Sequence, residues 1–137
     1  EADALVHVAG YLVACDATVP HASHYRPQIR ATARDASCVL GGLVVAQADV
    51  GDADALALRT FVDGELAATA STAEHVRGVA RLVAEISDFM TLAPGDVVLA
   101  GSGPDVPRVR AGGRVAVEID RVGRLETRVA VADRVPA

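Results

Sequence analysis

The chain has 137 residues, with 13 Lys+Arg against 18 Asp+Glu and a formal charge of −5, a balance that excludes a nucleic-acid partner because phosphate binding needs a basic surface. Half the residues are apolar, yet the aromatics are only two Tyr and two Phe, so one domain of this length has to build its core from Val, Leu, Ala and Ile. No apolar run approaches the roughly 18–20 residues of a membrane-spanning helix, and no signal peptide is visible, so no membrane partner is expected.

Residues 1–8 are acidic and then apolar, and read as a short helix feeding a first strand over 10–16. That strand ends on Asp16 and opens into a polar loop reaching Ser37. A rigid apolar strand delivering one acid to a variable loop is a common way to build a site, although a strand end beside a solvated loop has the same pattern. Cys38-Val39-Leu40 and Leu43-Val44-Val45 read as two brief apolar segments around a glycine turn, and residues 49–54 as an acidic surface linker. Cys15 and Cys38 sit among apolar neighbours and read as buried free thiols of a reducing cytoplasm, with a disulfide, which nothing in the sequence signals, as the alternative.

Asp63-Gly64 between two apolar runs predicts a hairpin, since the tight turn needs positive φ at both central positions. Ser71 and Glu74 have capping-box spacing and predict a helix start. Val76, Val79, Leu82, Val83, Ile86 and Phe89/Met90 then fall on one face, which should pack flat on a sheet until Pro94-Gly95-Asp96 stops the helix. Val97-Val98-Leu99-Ala100 reads as a strand running into Gly101-Ser102-Gly103-Pro104, and residues 114–121 and 124–131 as a second hairpin. One good helix among many short strands gives a β-rich α+β domain spanning 1–137.

Several side chains could carry chemistry. Asp16 offers an oxygen to a hard divalent cation, but one acid is not a site, and a capping or ion-paired aspartate is the alternative. His21 and His24 with Asp16 would make a two-histidine, one-carboxylate set, or three solvated residues. Arg26, Arg30 and Arg34 could grip substrate carboxylates, or Arg34-Asp35 could be an internal ion pair. Ser102 and its neighbouring N–H groups could hold an anionic oxygen. No Gly-x-Ser-x-Gly elbow is present, which argues against serine-hydrolase chemistry. Glu118 and Asp120 share a strand face and read as its wet side.

The stretch from Ile86 to Ser102, ISDFMTLAPGDVVLAGS, resembles the fumarylacetoacetate hydrolase family, whose pattern S-x-F-M-T-L-x-P-G-D-x-(I/V)-x-x-G-T-P it follows nearly throughout. The two hairpins, LRTFVDGEL and VEIDRVGRL, are similar to that family's as well. Tyr25-Arg26-Pro27 and Arg34-Asp35 most resemble its bifunctional homoprotocatechuate-pathway decarboxylase/isomerases, with a loop spacing like their N-terminal half. The resemblance implies a mixed β-roll/sandwich with one main helix, a Mg²⁺ or Mn²⁺ cofactor with Asp16 among its ligands, and Tyr25, Arg26, Arg30, Arg34 and Ser102 around the substrate. The implied reactions on oxo-dicarboxylate or enol substrates are decarboxylation, isomerisation and C–C hydrolysis.

Departures accompany the likeness. The family's Glu-x-Glu ligand pair would lie on strands upstream of Glu1. Since the only methionine is Met90, the chain reads as truncated at its N-terminus, or as a relative that has lost those strands. Cys15 replaces an asparagine, Pro20 an arginine, and Thr32 stands where the family has a lysine; a hydroxyl there neither carries charge nor acts as a base. A degenerate, non-catalytic subunit serving as scaffold or small-acid binder is therefore the second expectation. Open sheet edges predict a homo- or hetero-oligomer in either case.

Overall fold

The computed structural model describes residues 3–21, 28–103 and 105–130. In chain order its elements are β1 (Gly10–Tyr11), β2 (Ala14–Asp16), α1 (Ile29–Thr32), β3 (Cys38–Leu40), β4 (Val45–Ala46), α2 (Gln47–Val50), β5 (Ala57–Val62), β6 (Glu65–Ser71), α3 (Val79–Phe89), β7 (Arg114–Ile119) and β8 (Gly123–Arg128). Short 3₁₀ turns occupy Ala4–His7, Ala53–Ala55 and Thr72–Glu74. The fold is α+β and rich in strands, as the sequence predicts.

The single strand expected over 10–16 is two. β1 pairs antiparallel with β4, and β2 with β3, so the chain changes partner at Leu12-Val13. Val13 is buried at that crossing, and its carbonyl accepts from the Gly41 N–H at 2.8 Å. The two ribbons stand beside a four-stranded antiparallel sheet of order β6-β5-β7-β8. The Asp-Gly hairpin supplies β5 and the edge strand β6, with Asp63 and Gly64 at φ 51 and 93 as a tight turn requires. Asp63 Oδ1 also accepts from the Arg114 N–H at 2.8 Å, tying the turn to the start of β7.

The core is small. Val13, Val50, Ala53, Leu56 and Val122 are buried together, with Val117, Ile119 and Leu125 of the four-stranded sheet against them. Val50 is fully buried, which corrects the expectation of a surface linker over 49–54. α2 turns Val50 inward and the 3₁₀ turn after it buries Ala53, while Asp49 and Asp52 stay exposed. The same acidic stretch starts α3. Asp54 Oδ1 accepts from the Val79 N–H at 2.9 Å, and Asp52 Oδ1 accepts from the Asp54 N–H at 3.0 Å.

Ser71 does cap, but it caps the 3₁₀ turn by accepting from the Ala73 N–H, and the main helix begins only at Val79. Gly78 precedes it because a Cβ there would come within 2.4 Å of the Asp54 carboxylate. α3 ends at Phe89, before the Pro-Gly-Asp turn expected to stop it; Met90 is extended, and residues 93–96 close a separate turn. The helix does not lie flat on a sheet either. Its main neighbour is the Ala4–His7 turn, Val79 alone of its residues packs against the buried core, and Val76, Phe89 and Met90 are exposed. Residues 97–100 form no strand, and Val97 and Leu99 are exposed; an apolar pattern makes a strand only when a ladder partner is beside it.

Candidate functional site

Asp16 sits at the last rung of the β2–β3 ribbon, opposite Cys38, with its side chain exposed. The backbone beyond it is held by the returning loop. Ala17 N–H donates to the Ser37 carbonyl at 2.8 Å, and Val19 N–H to the Ala31 carbonyl at 2.9 Å. This second bond brings the backbone of α1, at Ala31 between Arg30 and Thr32, beside Val19, three residues beyond Asp16. Arg34 follows on a turn closed by the Ser37 N–H donating to its carbonyl at 3.1 Å.

The side chains themselves are not joined. No hydrogen bond or ion pair among the described residues joins Asp16, Arg30, Thr32 and Arg34, and Arg34 and Asp35 do not pair. Thr32 Oγ1 donates to the Gln28 carbonyl at 3.1 Å, the back-bond of a helical threonine. Ser102 is exposed in a loop whose Gly103 packs against Ala70 of β6, and nothing described links it to Asp16. Tyr25, Arg26 and His24 lie outside the described residues.

Cys38 is exposed, which corrects its reading as buried: it faces outward at the open end of a two-stranded ribbon. Cys15 is half-buried, and both are free thiols. Burial first, and then Asp16 and Cys38, hold the Cys15 thiol above its ordinary value. A thiol kept protonated is a poor nucleophile and a poor ligand.

A divalent cation prefers two or three carboxylates with further oxygens. Asp16 supplies one exposed carboxylate, and among the described residues no three His, Cys, Asp or Glu side chains lie together. The described residues therefore do not by themselves fit a complete cation site.

The strongest electrostatics lie elsewhere. Arg59 Nη1 donates to Asp120 Oδ1 at 2.7 Å and to Glu118 Oε1 at 3.3 Å, while Arg124 reaches Glu118 Oε2 at 3.3 Å and stands 4.9 Å over the Phe61 ring. The wet face read from Glu118 and Asp120 is thus an ordered ion network. Direct cross-strand register of Arg59, Glu118 and Arg124 builds it, and register is what a sequence shows only after its strands have been paired.

The pattern of the family described as fumarylacetoacetate (FAA) hydrolase C-terminal matches residues 1–130. The 4-hydroxyphenylacetate degradation bifunctional isomerase/decarboxylase of Escherichia coli is 39% identical over 131 residues, covering 94% of this chain and 30% of that enzyme. The aligned stretch falls in the C-terminal part of that enzyme, not in the N-terminal half that the loop spacing resembles. Among solved structures, maleylpyruvate hydrolase from Sphingobium sp. SYK-6 in complex with manganese(II) and pyruvate superposes with a TM-score of 0.86 at 28% identity, covering 96% of this chain and 48% of that one. Fumarylpyruvate hydrolase from Pseudomonas aeruginosa in complex with Mn²⁺ and pyruvate gives 0.83 at 29% identity, with 96% and 58% covered. The chain spans about a third of the length of the bifunctional relatives it matches.

Proposed function

This chain belongs to the fumarylacetoacetate hydrolase family, and on that premise we propose that it serves a site for small oxo-dicarboxylate or enol acids, in decarboxylation, isomerisation or C–C hydrolysis. The observation that supports the reading is the placement of Asp16 at the end of the β2–β3 ribbon, where the chain just beyond it is bonded to the returning segment through Ala17–Ser37 and Val19–Ala31. Asp16 is the position expected to hold Mg²⁺ or Mn²⁺, with the remaining oxygen donors coming from outside the described residues. Arg30 and Arg34, with Tyr25 and Arg26, would grip the carboxylates of the acid as planar guanidinium forks. Ser102 is the further substrate contact carried over from the family. Cytoplasmic location and assembly with another subunit complete the proposal; among the described residues no helix is long and apolar enough to cross a membrane.

A second reading, the non-catalytic binding subunit, is favoured by Thr32. Its hydroxyl is committed to the Gln28 carbonyl, and it offers no base where the family has lysine. Turnover of oxaloacetate and of longer 2-oxo dicarboxylates with Mn²⁺ separates the two. Slow turnover by the wild type, lost in Asp16→Ala and raised about tenfold or more in Thr32→Lys, is the expected result. Absence of turnover in all three proteins would leave the binding subunit.

A further inference from the structure

We propose that the open end of the four-stranded sheet, around Arg114 and Arg128, binds a small carboxylate- or phosphate-bearing anion at a second site, on a different sheet from Asp16. The β7–β8 ladder sets Arg114 directly opposite Arg128. Residues so paired share a face, and like charges directly opposed are destabilising. In a chain of net charge −5, such a pair is not explained by a general excess of arginine.

The rest of that face shows what a compensated arrangement looks like. Four rungs inward, Arg124 reaches Glu118 at 3.3 Å and Glu126 at 3.8 Å, and Arg59 is held by Glu118 and Asp120. At the outer rung the compensation stops. The Arg114 side chain has no hydrogen bond or ion pair among the described residues. The nearby Asp63 carboxylate accepts from the Arg114 backbone N–H at 2.8 Å. Arg128 donates through Nε to the Gly112 carbonyl at 3.0 Å, which fixes the guanidinium and leaves its two terminal nitrogens unengaged among the described residues.

Between these rungs, Arg114, Arg124, Glu126, Gly64 and the buried Ala116 line a shallow cavity of about 150 Å³. An anion seated there would meet the Arg114 guanidinium, which no described carboxylate engages, with Arg128 directly opposite on the neighbouring strand at the cavity's outer end; each guanidinium can bind an oxyanion through two N–H groups. The small volume, with Glu126 on the rim, suits a compact anion and disfavours an extended acidic chain.

The test is amide NMR of the full chain titrated with inorganic phosphate and, separately, with succinate, each against NaCl at matched ionic strength. Saturating shifts at Gly64, Arg114 and Ala116 are expected, weakened at least about fivefold in Arg114→Gln and Arg128→Gln and kept in the charge control Arg108→Gln. A response to succinate alone or to phosphate alone identifies which anion the site takes. Should Arg128→Gln fail to fold through loss of its bond to Gly112, Arg114→Gln carries the test, since its side chain gives up no hydrogen bond. Shifts that are absent, that NaCl reproduces, or that fall equally in Arg108→Gln would overturn the proposal.

Discussion

Tyr11 shows how a single group can act against the fold that holds it. Its ring packs on the core cluster while its hydroxyl is sealed from solvent with no hydrogen-bond partner among the described residues. A buried hydroxyl left unpaired costs about 1–3 kcal/mol. Tyr11→Phe should therefore leave stability unchanged or raise it by about 1 kcal/mol in urea unfolding; a loss of that size would reveal a partner for the hydroxyl. Burial first, and then the Asp54 and Asp52 carboxylates, hold its ionisation above the ordinary phenol value. A raised value means that the unfolded chain ionises first as pH climbs. The associated stability is whole below the ordinary phenol range and is lost as pH rises through the folded value. Alkaline unfolding curves should thus be shallower for Tyr11→Phe than for the wild type. None of this was legible in Gly10-Tyr11-Leu12, because an apolar context announces burial of the ring and says nothing about its oxygen.

Elements were legible where the determinant is local. The Asp63-Gly64 turn forms as read, because two positive φ values are a property of two adjacent residues. The start of α3 was misread for the opposite reason. Ser71 has the right spacing to a glutamate, but Asp54, 25 residues before Val79, takes the N–H that opens the helix. A cap from a distant loop has no sequence spacing to find. Asp54→Ala should destabilise the chain by about 1–2 kcal/mol in chemical denaturation, with Asp54→Asn recovering most of the loss because it keeps an accepting oxygen. Equal loss in both variants would mean that the carboxylate charge, and not the cap, matters. The strand expected over 97–100 fails for a related reason: its apolar pattern is present, but the ladder partner that would make it a strand is not among the described residues.

At the scale of the molecule, burial is incomplete. The chain exposes 10066 Å², against about 6,700 Å² for a compact monomer of its mass, and Val6, Val76, Phe89 and Met90 stand more than half or about half exposed around α3. Obligate interfaces cover roughly 1,000–2,500 Å² on each partner, so a surplus of this size is more than enough for one. Light scattering should accordingly find a dimer or a larger assembly, and a strictly monomeric species at micromolar concentration would contradict that expectation. Family membership was legible in ISDFMTLAPGDVVLAGS and is borne out by the match over residues 1–130. The candidate site was legible only as residue identities; its one structural support, the loop folding back beside Asp16, depends on a backbone bond between Val19 and Ala31 that no pattern of side chains encodes. The most direct measurement is calorimetric titration of Mn²⁺ in the presence of oxalate, on the wild type and on Asp16→Ala. Binding by the wild type that weakens at least about tenfold in the variant is the predicted result. Equal heats in the two proteins, or none in either, would contradict a metal-assisted oxo-acid site at Asp16.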